Sequence, residues 1–170
     1  PLVGKSLVQY SVTFEPGGLD TTSTGTVVTV KGSAKTYTNL PYQWWVDSGS
    51  TVTYSYSSTV SSSTTGKRFS LTSVASPSTP FVVTGPTTLT GYYCTQYSVS
   101  FSQSGLDSSA TGTVVTVNGT SKTYAELPYS LWVNSGSSIT YSFTSPIPSS
   151  SPTKQFRLNS ITGSTSPITV

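Results

Sequence analysis

The chain has 170 residues, of which 34% are hydrophobic and only 8% charged, and its formal net charge is +3. Serine and threonine make up roughly two-fifths of it, far above ordinary usage. The positive balance comes from scarce acids, with no run of Lys or Arg, so no nucleic-acid partner is expected, and no apolar stretch approaches the length that would insert into a membrane.

The predicted elements are strands throughout, because β-branched and aromatic residues recur with a period of two. Tyr10, Val12 and Phe14 share one face of the first. Val28 and Val30 follow, and Lys31-Gly32 turns the chain into Ala34 to Tyr37. After Trp44 and Trp45, "DSGS" turns it again into Val52, Tyr54 and Tyr56. Phe69 and Leu71 mark a further strand, Pro80 to Val83 another, and Leu89 to Tyr93 one more. The Ser/Thr-rich "SSTVSSSTTG" reads as loop.

At Tyr97 the pattern begins again. A shift of 87 lays Tyr97 on Tyr10 and keeps register to the end without a gap. "GTVVTVKGSAKTY" meets "GTVVTVNGTSKTY", and "LPYQWWVDSGSTVTYSY" meets "LPYSLWVNSGSSITYSF". About half the aligned positions are identical, which marks an internal repeat. In the second copy Asn118-Gly119 is a type I′ hairpin signal, and Ile139, Tyr141, Phe143, Phe156, Leu158 and Pro167 to Val170 repeat the remaining strands. Seven or so short strands per copy predict two tandem immunoglobulin-like β-sandwich domains, a barrel being the alternative. The expected division is residues 1–8 as a separate strand, 9–93 as the first domain and 94–170 as the second.

That separate strand follows from the register. The second copy stops at the equivalent of Val83, without a counterpart of Leu89–Tyr93, whereas Leu2 and Gly4 align with Leu89 and Gly91. A sandwich lacking its last strand leaves unpaired peptide groups and an open apolar slot, and both are costly in water. Residues 1–8 of one copy are therefore expected to complete the second domain of another, in a head-to-tail contact that propagates. The donor residues are Leu2, Val3, Leu7 and Val8, with Leu2 and Val8 inward and Val3, Lys5 and Leu7 outward. The acceptor edge is expected at Pro167, Ile168 and Val170. A linker stub between repeats of a longer array is the competing reading.

Chemistry is harder to find. The chain has no histidine and only five carboxylates, Glu15, Asp20, Asp47, Asp107 and Glu126. No catalytic, cofactor-binding or metal-binding residues are expected: the commonest general base is missing, Asp20 and Asp107 are equivalent turn residues, and no oxygen cluster suits calcium. Lys35 and Lys122 are conceivable lysines for a covalent isopeptide staple, but such chemistry needs a buried acid and none is evident. Trp45 and Trp132 are expected to fill the two cores, which turns Trp44 and Leu131 outward as interface residues. The rival reading of that outer face, with Tyr42 and Tyr129, is a platform for surface glycans. Asn118 opens an "NGT" triplet, an acceptor pattern for N-glycans. Cys94, the sole cysteine, aligns with Leu7 and reads as a small apolar residue.

The strings "YSVTFEPGGLD…GTVVTVKG" and "YSVSFSQSGLD…GTVVTVNG" resemble repeats of secreted archaeal surface proteins. The layout also resembles archaeal thread-type or pilus-type filament subunits that assemble by donor-strand complementation, although two domains per subunit depart from a one-domain thread. That resemblance implies a non-enzymatic glycoprotein of the cell exterior whose partners are copies of itself in a homopolymer, with a role in adhesion or biofilm. The alternative is a carbohydrate-binding or adhesive module of a larger surface protein.

Overall fold

A computed structural model of the chain describes residues 3–75 and 77–170. Leu2, one of the expected donor residues, lies outside them. The protein is all-β; among the described residues the helical pieces are two short 3-10 turns, Tyr37–Asn39 and Tyr124–Glu126. It divides into two compact units, Pro1–Gln96 and Tyr97–Val170, a little beyond the Tyr93/Cys94 boundary expected from the repeat.

The first unit contains β1 (Gln9–Gly17), β2 (Ser23–Thr24), β3 (Thr26–Val30), β4 (Ser33–Thr36), β5 (Tyr42–Asp47), β6 (Thr51–Val52), β7 (Tyr54–Tyr56), β8 (Thr59–Ser62), β9 (Lys67–Ala75), β10 (Phe81–Val82) and most of β11 (Thr87–Phe101). Its main sheet runs β2-β8-β9-β11-β1-β5; β4-β3-β7 and β10-β6 are smaller sheets. Alternation explains most of the burial, since Val12 and Phe14 of β1 point into the core while Ser11 and Thr13 do not. One departure from alternation is the burial of both Val27 and Val28, which the register shift between Thr26 and Val28 permits. The β3–β4 hairpin turns through Lys31 at φ 46° and Gly32 at φ 79°, the left-handed pair a type I′ turn requires. Buried side chains from β1, β3, β5 to β9, β10 and β11 meet in one cluster.

The second unit begins with the end of β11 and continues through β12 (Thr113–Val117), β13 (Thr120–Thr123), β14 (Tyr129–Asn134), β15 (Ser138–Ile139), β16 (Tyr141–Phe143), β17 (Ile147–Pro148), β18 (Gln155–Phe156) and β19 (Ile168–Thr169). Here β14 pairs with β11, and β13-β12-β16, β17-β18 and β15-β19 repeat the first unit's pairings. Even the short β2–β8 contact has its counterpart, a single bridge between Ala110 and Ser149. Other elements are shortened: β18 has two residues where β9 has nine, and β17 two where β8 has four.

The tryptophans reverse the expectation. Trp45 is 63% exposed and Trp132 39% exposed, whereas Trp44 and Leu131 pack against the cores. Val46 and Val133 are the buried residues that set the facing, and Trp44 and Leu131 lie two positions before them on the same side. Trp44 stacks on Phe14 with ring centroids 6.1 Å apart. Trp44 and Leu131 are therefore core residues, and the outward aromatics are Trp45 and Trp132.

A methyl group added at Gly91 would sit 2.4 Å from the Tyr56 ring, while one at Gly4 would meet nothing within 4 Å. Gly91→Val should cost the first unit about 1–3 kcal/mol through overpacking, and Gly4→Val should leave the monomer's stability unchanged. Denaturant melts of both variants measure this.

A candidate strand-binding groove

The first unit shows how one strand completes the fold. Between β9 and β1, β11 runs parallel to β1, with Val12 opposite Thr87, Phe14 opposite Leu89, Pro16 opposite Gly91 and Gly17 opposite Tyr92. Alternate residues face the core: Leu89 and Tyr93 are buried, and Gly91 between them lies against the Tyr56 ring. Four carbonyls are gathered around two tyrosine hydroxyls here. Tyr56 donates from its hydroxyl to the Leu89 carbonyl at 2.8 Å and the Glu15 carbonyl at 3.0 Å. Tyr93 donates to the Ser57 carbonyl at 2.9 Å, with the Val27 carbonyl at 3.3 Å. Burial pushes the Tyr93 hydroxyl up to about 12, and burial likewise pushes Tyr56 above the ordinary phenol range, so both remain donors.

In the second unit the same walls stand apart. A groove of about 760 Å³ is bounded on one side by Val99–Leu106, from the repeat of β1 and the turn after it, and on the other by Gln155–Ser164, from the repeat of β9 and the loop after it. Phe143, Tyr141, Val114, Thr144 and Ile168 line the remainder. These repeat Tyr56, Tyr54, Val27, Ser57 and Phe81, of which Tyr56, Val27 and Ser57 bond to β11 in the first unit. The strand on each side shortens accordingly. β11 ends at Phe101 where β1 continues to Gly17, and β18 ends at Phe156 where β9 continues to Ala75.

Burial follows the same division. Phe69 is buried and Leu71 and Val74 pack on the first core, but Phe156 is half-buried and Leu158 and Ile161 are exposed. Gly18, at φ 79°, is pressed so closely on the Tyr93 carbonyl that a side chain could not fit; its repeat Gly105 has open space. The second unit thus keeps the shape of a site whose occupant in the first unit is a strand of the chain itself.

Of the expected acceptor residues, Ile168 lines the groove, while Pro167 and Val170 do not. Ile168 pairs with Ile139, and Val170 is tied to the turn below it through a 3.0 Å bond from its N–H to the Ser137 carbonyl. The rails are Val99–Ser104 and Gln155–Thr162. Reasoning from sequence adjacency missed them because β10 and β11, though consecutive, enter different sheets. The repeat alignment, read for the neighbours of β11, was the signal that could have found them.

Three of the expected donor residues lie among the described ones, and all three are exposed. Val3 is 88%, Leu7 66% and Val8 61% exposed, and Val3 to Val8 belong to no strand. The Val8 carbonyl accepts a 2.8 Å bond from the Ser48 N–H, which anchors the segment just before β1 begins.

The carboxylates serve the fold. Asp20 accepts from the Thr22 N–H at 2.9 Å and from Lys67 Nζ at 2.5 Å, clamping the loop after β1 to the start of β9. Asp107 makes the same contacts with Ser109 and Lys154. The lysine bond, helped by the Thr22 and Ser109 donors, holds both carboxyls down at about 2. Glu126 is lowered by the Thr123 N–H and hydroxyl, then by Lys122, whose ammonium is 3.3 Å away. Lys35 and Lys122 lie over the rings of Tyr42 and Tyr129, at 4.0 and 4.4 Å from the centroids. Asn118, exposed at φ 46°, accepts from the Thr140 N–H at 2.9 Å. Among the described residues no three His, Cys, Asp or Glu side chains gather as a metal site, and no helix is long and apolar enough to cross a membrane.

Comparisons with protein-family models, with curated proteins and with solved structures each found no match to this chain.

Asp20 and Asp107 sit below their ordinary 3.8, so the stability their pairs supply is complete above that value and fades as pH falls through the folded value near 2. Thermal melts should therefore be flat from neutral down to about pH 4.5 and fall only below about pH 4. Lys67→Met removes the main cause of the Asp20 depression, so it should lower the melting temperature of the first unit at neutral pH and flatten its decline in acid.

Proposed function

We propose that this chain is a structural subunit of an extracellular filament, built from two immunoglobulin-like β-sandwiches and joined head to tail. Residues 1–8 of one subunit enter the second-unit groove of the next and take the place that Thr88–Thr95 holds in the first unit. The observation that carries this reading is the groove itself. Its walls align in register with those that clasp β11, and they stand open in the second unit. An open slot flanked by unpaired strand edges is a site for strand addition. The exposed Val3–Val8 segment offers a strand of the right length, with Leu2 and Gly4 in the phase of Leu89 and Gly91. Because donor and acceptor are different surfaces, the contact repeats without closing. The serine- and threonine-rich coat, the scarcity of charge and the exposed Asn118 of "NGT" support a location outside the cell and use as a glycoprotein in adhesion or biofilm. No step of this role requires a catalytic group.

A second reading is supported by Trp45 and Trp132. Each is an outward indole on a strand that repeats in both units, with Ser11 opposite Trp45 on β1 and Gln43 and Asp47 on either side along the strand. A flat aromatic among polar side chains suits a sugar ring. This would make the chain a carbohydrate-binding module of a larger surface protein.

Removal of residues 1–8 separates the two. Under the filament reading, negative-stain micrographs of the intact chain show polymers and those of the truncated chain show none. Under the second, the truncated and intact chains are alike in the microscope, and glycan-array binding is lost with Trp45→Ala.

A further inference from the structure

We infer that the second-unit groove selects its strand by a Leu-x-Gly-x-Tyr pattern read in one direction, and that residues 1–8 satisfy this pattern only in part. The inference rests on the filament reading for its biological partner, but its argument comes from the occupied site in the first unit.

Three positions are dictated by that site. Leu89 is fully buried opposite Phe14, so the first position takes a large aliphatic side chain. Gly91 admits no side chain because the Tyr56 ring fills the space. In the second unit that ring is Phe143, which lines the groove and keeps the same bulk while losing the hydroxyl. The third position, Tyr93, reaches across to the carbonyls of Val27 and Ser57. Their repeats, Val114 and Thr144, both line the groove. Direction is fixed as well, since β11 is parallel to β1; a strand in the groove runs parallel to Val99–Ser104, with its leucine opposite Phe101 and its glycine opposite Gln103.

Residues 1–8 place Leu2 at the first position and Gly4 at the second, but Ser6 at the third. A serine cannot span from the strand to those carbonyls, so the joint between subunits lacks both the ring burial and the hydroxyl bonds that lock β11 in place. The segment Thr87–Cys94 of the chain carries the full pattern and is the better ligand for the groove. Joints formed by residues 1–8 are thus weaker than the internal joint and open to competition.

The test uses the full-length chain carrying Gly4→Val, whose own segment cannot compete, as receptor for fluorescent peptides. One peptide spans residues 1–8 and one spans residues 87–94 with serine at position 94. The others are residues 1–8 with Ser6→Tyr, residues 87–94 with the glycine changed to valine, and residues 87–94 in reversed order. The expected result is binding of residues 87–94 about tenfold or more tighter than residues 1–8, a gain for Ser6→Tyr, and no binding by the valine or reversed peptides. Equal affinity of residues 1–8 and 87–94, or binding of the valine or reversed peptide, overturns the selection rule and leaves the filament reading standing. Binding of residues 87–94 without any binding of residues 1–8 upholds the rule and removes the proposed joint. Binding of neither peptide overturns both.

Discussion

The placement of β11 between β9 and β1 is the contact on which the first unit depends. A strand in the middle of a sheet uses its peptide groups on both sides, and its two neighbours use theirs against it. Here the same strand also closes the core, because Leu89 and Tyr93 cover Phe14, Phe69 and the rings of β7. Hydrogen bonding and apolar burial are therefore gained or lost together. The second unit is the comparison within one molecule. With walls built from the equivalent segments and no strand between them, its rails stop early, Leu158 and Ile161 lie in the open, and Phe156 is half-exposed. Each large aliphatic side chain moved from water into such a core contributes about 1.5–3 kcal/mol, so an occupant that covers several of them has a substantial driving force.

Steric fit decides which strand can do this. A β-strand presents alternate residues to the core, and in the first unit those residues are large, absent and large again: leucine, glycine, tyrosine. The glycine is required by close approach, since the Tyr56 ring occupies the volume its side chain would take, and the ring is held there by its hydroxyl bonds to two backbone carbonyls, one of them on β11 itself. Ring and glycine form one complementary pair, and the repeat preserves the ring as Phe143.

Much of this was legible in the sequence. Most strands of the first copy were marked by alternation, and the Lys31-Gly32 and Asn118-Gly119 turns by their need for left-handed backbone; β2 was not, and "SSTVSSSTTG", expected as loop, holds β8, whose Thr59–Ser61 pair with β9 and whose Val60 is buried. The groove was legible in outline from the register of the repeat, but its walls were not. Strand neighbours in space are set by sheet order, and the step from β10 to β11 changes sheets. The tryptophan facing was readable and was read from the wrong residue. Tyr42, Trp44 and Val46 form an apolar series at period two, as do Tyr129, Leu131 and Val133, whereas Trp45 and Trp132 have Gln43, Asp47, Ser130 and Asn134 in phase with them. Size made Trp45 look like a core residue; phase puts it outside. The half-burial of Phe156 and the exposure of Leu158 could not be read from those residues, because Phe69 and Leu71 are their identical repeats and only the strand beside them differs.

An open groove with exposed aliphatic side chains is also a hazard, since any extended chain can pair with a bare edge. Several features of the second unit limit that risk. Its rails are short, with only Gln155 and Phe156 in strand conformation where the first unit has nine residues. Arg157 stands where the first unit has Ser70, and Asn159 where it has Thr72, so the rail on that side carries charge and amide in place of small hydroxyls. Arg157 lines the groove, while Gln155 stands where the first unit has Arg68. The Phe143 ring then rejects strands with a side chain at the middle position. A site of this kind stays unpaired until a strand with a glycine in the right phase arrives, and the chain holds such glycines at two equivalent places: Gly91, already inside its own fold, and Gly4, in the open.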